Sequence, residues 1–157
     1  KAPLKGVLVG SPANPTGTMM SREALTGLMR AADGAGIRFI SDEIYHGLDY
    51  AFPAVTAAAL SPDALVINSF SKYFCMTGWR VGWMVARRDL AAKATQLNEF
   101  VVSHAATFTQ KAAEAGLVEG EAGVLELLAM LRQNRDLCLD ALGSMPGVTV
   151  PSACSVP

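Results

Sequence analysis

The sequence predicts an α/β domain: a mostly parallel sheet with one antiparallel strand and flanking helices. Three observations predict it. Short apolar runs alternate with helical stretches through the first half of the chain, the pattern of a parallel sheet. The third and fourth runs are separated by roughly ten residues, fewer than the dozen or more of a parallel crossover, so the fourth strand returns antiparallel. The chain is 157 residues long with 51% hydrophobic and 17% charged residues, which is too apolar for disorder and calls for large buried faces or a surface that meets another subunit.

The elements follow in order. "KGVLVG" (5–10) is a buried strand, ended by the turn-rich "SPANPTG". Ser21 caps a helix running to about Ala32, with Gly34 and Gly36 as stop signals. "IRFISDE" (37–43) is the second strand, with acids at its carboxyl end, and "ALVINSF" (64–70) the third, ending beside Lys72. "RVGWMVA" (80–86) is the antiparallel fourth, which brings Arg80 back toward Lys72. Asp89 then opens a helix to about Phe100, and Thr107 or Thr109 a second to about Val118. A long helix from about Glu121 to Leu142 follows, with Val124, Leu127, Leu128, Leu131 and Leu139 at near-helical spacing. Gly143, Pro146 and Gly147 break it, and "VTV" begins a further element.

A net charge of −1 favours neither nucleic acid nor an anionic membrane as partner. No apolar run approaches the ~18 residues of a membrane span. Cys75, Cys138 and Cys154 are odd in number and form no CxxC pair, so reduced thiols in a cytoplasm are expected, with no metal site.

Ligands of open parallel sheets bind outside the carboxyl ends of the strands. Asn14 lies just past the first strand, Asp42 closes the second, Ser69 and Lys72 follow the third, and Arg80 enters from the antiparallel return. An arginine beside two serines, Ser69 and Ser71, makes a phosphate cradle, because a guanidinium offers forked donors and hydroxyls complete the shell. A lysine among apolar groups and near a cation favours its neutral amine, which can attack a carbonyl. An aspartate aimed at a ring nitrogen keeps a pyridinium cationic. Phosphate, aldehyde and pyridine nitrogen occur together in one cofactor, pyridoxal 5′-phosphate.

"NPTG" (14–17), "SDEIY" (41–45) and "SFSKYFCMTGWRVGW" (69–83) together resemble the class I/II aminotransferases, the fold-type I pyridoxal-phosphate enzymes. The separations, 28 residues from Asn14 to Asp42 and eight from Lys72 to Arg80, agree with that family. Alone, "NPTG" is a proline turn, "SDE" a helix cap, Tyr45 a core tyrosine and Arg80 an ion-pair partner. Their joint occurrence at one sheet edge makes the resemblance specific.

The resemblance implies roles. Lys72 matches the Schiff-base lysine and proton carrier, and Asp42 the partner of the pyridine nitrogen. Asn14 and Tyr45 match donors to the phenolic oxygen, and Ser69, Ser71 and Arg80 match phosphate ligands. It implies transfer of an amino group between an amino acid and a 2-oxo acid, and a homodimer with active sites at the subunit interface. It also implies a fold-type I large domain incomplete at both ends. Residues 1–120 would be part of the large domain, 121–143 an interdomain helix, and 144–157 the start of a small domain. The chain is then an internal piece of a longer enzyme. It would lack the ring-stacking aromatic upstream and the carboxylate-binding arginine downstream. A C–S lyase or synthase of the same fold, or the cofactor-binding domain of a transcriptional regulator, would share these motifs.

The remaining conspicuous residues take ordinary readings. His46 and His104 are satisfied polar groups, Trp79 and Trp83 packing residues, and Met19 and Met20 core or interface filling. Cys75 is oxidisable without a catalytic role, and the run at 87–89 is a solvated helix start.

Overall fold

The computed structural model describes residues 3–150. Four strands form one sheet in the order β1-β2-β3-β4. β1 (Gly6–Gly10) pairs parallel with β2 (Arg38–Asp42), placing Gly10 opposite Asp42. β2 pairs parallel with β3 (Leu65–Ser69), placing Asp42 opposite Ile67. β4 (Gly82–Val85) runs antiparallel to β3, with Ser69 opposite Gly82. The carboxyl ends of three strands and the start of the fourth therefore share one edge.

Helix α1 (Arg22–Gly34) covers one face of this sheet. Ser21 Oγ accepts from the Ala24 N–H at 3.2 Å, and Gly36 takes a positive φ of 66° where the chain turns back toward β2. The apolar stripe of α1, Leu25, Met29 and Ala32, packs with Phe39, Ala57, Ala64 and Val66 in the main core. Met20 packs against the same cluster. A smaller core joins Phe70, Met76 and Ala113, the last on α3 (Thr107–Glu119), and brings that helix to the segment after β3.

α2 (Arg88–Val101) contributes no buried residue, and the long α4 (Glu121–Gly143) contributes only Val124. Large apolar side chains stand exposed on these helices and on α3, among them Leu97, Phe100 and Val101 of α2, Phe108 of α3 and Leu137 of α4. No helix among the described residues is long and apolar enough to cross a membrane.

Local differences from the sequence reading have identifiable causes. β4 begins at Gly82 instead of Arg80 because Arg80 adopts a left-handed conformation, φ 54° and ψ 50°, that ends a 3-10 turn over Thr77–Trp79. Strand pairing starts only where the backbone regains extension, and at Gly82 a Cβ would lie 2.6 Å from the Asn68 carbonyl oxygen. α2 starts at Arg88, with Asp89 in its first turn. Arg87 reaches Asp89 at 2.6 Å and Asp63 at 3.1 Å, and its hydrogen bonds hold the Asp89 carboxyl well below its ordinary range. Trp83 does pack edge-on against Phe70, 5.0 Å between ring centres, yet it remains 40% exposed. Residues 144–150, which include "VTV", form turns and irregular backbone but no strand or helix, and 151–157 of the expected small-domain start lie outside the described residues.

Candidate active site

β1, β2 and β3 deliver their last residues to one edge, and the loops that leave them carry the polar groups. The loop after β1 is a tight reversal: the Gly17 N–H bonds to the Ala13 carbonyl at 2.8 Å and the Ala13 N–H to the Thr18 carbonyl at 3.0 Å. It presents Asn14, whose Nδ2 donates to the Tyr45 hydroxyl at 2.8 Å. Thirty-one positions apart in the chain, these two are brought together by the parallel pairing of β1 with β2.

Lys72 Nζ lies 5.8 Å from the centre of the Tyr45 ring, over its face. An ammonium so placed gains about 0.5–1 kcal/mol at a partly exposed site, enough to orient the side chain without locking it. Lys72 sits in the turn that follows β3, closed by the Cys75 N–H bond to the Lys72 carbonyl at 3.1 Å. Asn14, Tyr45 and Lys72 thus form one group.

Ser69, Ser71 and Arg80 form a second. Ser69 Oγ is 2.9 Å from Ser71 Oγ and accepts from the Ser71 N–H at 3.0 Å. Thr77 Oγ1 donates to the Ser71 carbonyl at 2.8 Å, and Arg80 Nη1 donates to the Thr77 carbonyl at 2.7 Å. One of the five guanidinium donors is used in this way, and the others remain available to a ligand. Both serines and Arg80 line a single open cleft of about 630 Å³. The left-handed backbone at Arg80 is sparsely populated for a residue with a Cβ, and conformations of this kind cluster at ligand-contacting segments.

Asp42 stands at the end of the central β2, between Gly10 and Ile67. Its Oδ1 accepts from the Ile44 N–H at 3.2 Å. Among the described residues its other oxygen accepts no hydrogen bond, so the carboxylate is anchored at one end and open at the other.

Residues 1–155 match the family described as aminotransferase class I and II. The chain belongs to the class I and II aminotransferases. It is 41% identical to the valine–pyruvate aminotransferase of Mycobacterium tuberculosis strain H37Rv, an alignment that covers 89% of this chain and 37% of that protein. It is 33% identical to an aspartate aminotransferase of Geobacillus stearothermophilus, over 92% of this chain and 38% of that one. The crystal structure of an aminotransferase from Mycobacterium tuberculosis superimposes with a TM-score of 0.83 at 40% identity, covering 89% of this chain and 39% of that one. The chain therefore spans well under half the length of these aminotransferases.

One feature of this aminotransferase edge was absent from the sequence reading. Glu43, treated there as part of a helix-cap pattern, is only 2% exposed. Its Oε1 accepts from the Ala57 N–H at 2.8 Å and its Oε2 lies 3.3 Å from His46 Nδ1. The available signal was alternation: consecutive side chains of an extended segment point to opposite sides. With Asp42 at the open strand edge, Glu43 had to be turned inward and to find partners there. His46 is a satisfied polar group as read, since its Nε2 is 3.0 Å from the Ser11 carbonyl oxygen.

Proposed function

We propose that the chain is the cofactor-binding part of a pyridoxal 5′-phosphate-dependent aminotransferase that moves an amino group between an amino acid and a 2-oxo acid. One observation carries this reading. A single sheet edge gathers a primary amine, a carboxylate open at one end, a paired amide and phenol, and a serine–arginine cleft. The donor chemistry fits the cofactor group by group. The two hydroxyls and the free guanidinium donors suit a phosphate dianion, and the open carboxylate suits a protonated ring nitrogen.

When bound, the cofactor supplies an electron sink that stabilises negative charge at the substrate α-carbon. The chain's own residues would do the rest. Lys72 Nζ would hold the cofactor at its aldehyde carbon with loss of water and, once the substrate amine had displaced it, would carry a proton between the substrate α-carbon and the cofactor C4′. Its flexible, half-buried stem allows the short movement this requires. Asp42 holds the proton on the ring nitrogen and so preserves the sink. Tyr45 and Asn14 donate to the phenolic oxygen, and their mutual hydrogen bond fixes both in advance. Ser69, Ser71 and Arg80 grip the phosphate.

The same reading makes 1–120 part of the large domain, α4 the interdomain helix and 144–157 the start of a small domain. The enzyme would be a cytoplasmic homodimer, which the exposed apolar faces of α2 and α3 support. Borohydride reduction of the cofactor-loaded full-length protein, followed by peptide mapping, should find the pyridoxyl group on Lys72. Labelling of Lys93 or Lys111 instead would sink the assignment.

A further inference from the structure

We propose that His46 is a positioning residue for the site, clamping the Asn14 loop to the buried end of β2 through the Ser11 carbonyl. Ser11 is the point where the chain leaves β1, and three of its polar atoms are engaged. Its N–H bonds to the Asp42 carbonyl at 3.3 Å, its Oγ accepts from the Met20 N–H at 2.9 Å, and its carbonyl lies 3.0 Å from His46 Nε2. The first two contacts come from backbone. The third comes from a side chain and can be altered by itself.

Behind His46 the contacts run into the core. His46 Nδ1 faces Glu43 Oε2 at 3.3 Å, and Glu43 Oε1 holds the N–H of Ala57, which is wholly buried. The imidazole therefore bridges a fixed carboxylate and a loop carbonyl. A carbonyl only accepts, so Nε2 must donate to it, while the other ring nitrogen faces the carboxylate. Three residues beyond the clamped carbonyl, Asn14 donates to the Tyr45 hydroxyl. With the Ser11 peptide free to rotate, that amide would lose its bearing on Tyr45 while the strand pairing stayed intact. His46 touches no group of the proposed chemistry and acts through Ser11 and Asn14 alone.

The inference rests on the cofactor reading above, and paired substitutions separate the two. A glutamine amide nitrogen can take the place of imidazole Nε2, and an asparagine amide nitrogen that of Nδ1. His46→Gln keeps a donor for Ser11, whereas His46→Asn keeps one for Glu43 and leaves Ser11 unbound. In the full-length protein, cofactor affinity, the pH midpoint of the bound cofactor's visible absorbance, and thermal unfolding would be measured for all three forms. His46→Asn should weaken pyridoxal 5′-phosphate binding about tenfold, roughly the effect of one well-placed hydrogen bond. It should also raise the absorbance midpoint, because fewer donors then stabilise the phenolate. His46→Gln should stay within about twofold of wild type in affinity, with an unshifted midpoint. Equal behaviour of the two variants, whether both normal or both impaired, overturns the clamp. So does an Asn form that fails to fold, since His46 would then be a plain core group. Failure of the wild-type protein to bind the cofactor would instead bring down the functional reading itself.

Discussion

Replacing Arg80 by lysine separates recognition of the phosphate from chemistry. The guanidinium uses Nη1 to hold the Thr77 carbonyl at 2.7 Å, and its remaining donors border the cleft shared with Ser69 and Ser71. Lysine keeps the positive charge but offers one compact ammonium, which cannot hold Thr77 and grip a phosphate in a fork at the same time. The loss is about one charge-assisted hydrogen bond, ~1.5–3 kcal/mol, or about 10- to 150-fold in the dissociation constant for pyridoxal 5′-phosphate. The phosphate keeps its charge through turnover, so the contact is equal in ground and transition states and should leave kcat at saturating cofactor largely unchanged. Pyridoxal without phosphate should bind both forms almost equally. Folding supplies the control: both residues have a Cβ in the same left-handed conformation, and the site is exposed, so stability should differ by no more than ~0.5 kcal/mol. The assay is cofactor titration of the full-length protein with each cofactor, followed by saturated turnover. A mutant that binds pyridoxal 5′-phosphate normally but stays inactive would refute the reasoning and make Arg80 a substrate contact.

Asp42→Ala should lose far more kcat than cofactor affinity, because its charge matters most as carbanion character develops, and Asp42→Glu should be milder; normal kcat in the alanine form would show that another group holds the ring proton. Gly47→Ala should destabilise the protein by ~2–4 kcal/mol in denaturant unfolding, since φ is +84° there and the added Cβ would overlap the Tyr73 ring. Asp89 is depressed in the folded state by Arg87, so its contribution is present above the ordinary aspartate range and is lost as pH falls through the folded value. Asp89→Asn should accordingly flatten the decline in denaturant midpoint below about pH 4, and more so at low salt than at high. An unchanged acid slope would mean that this exposed pair contributes nothing to folding.

Local pattern carried much of the fold. The strands appear as short apolar runs although among the described residues α1 covers one face only, and the expected buried first strand leaves Leu8 61% exposed; α1 appears as a periodic stripe because one face meets the sheet. The antiparallel return of β4 followed from chain length alone, since too few residues were available to cross back over the sheet. The seven candidate residues could be gathered for a related reason. Parallel strands all point their carboxyl ends one way, so a polar residue just past each strand arrives at a common edge.

Three-dimensional packing decided what no local pattern encodes. Asp42 and Glu43 are adjacent acids of similar chemistry, yet one ends open to the ligand edge and the other is sealed against Ala57 and His46. Which of them is sealed depends on the register of β2 and on a partner N–H fourteen residues away. Arg80 looked like the start of a strand because its neighbours are apolar. Its left-handed backbone instead closes a 3-10 turn that follows Met76, which packs with Phe70 and with Ala113 of α3. The Asn14–Tyr45 bond likewise joins residues that only the β1–β2 pairing brings within reach. Residue types and spacings determined which groups meet at the edge. Their hydrogen-bond partners were decided in the fold, because such bonds form over about 3 Å between segments that the chain separates by tens of residues.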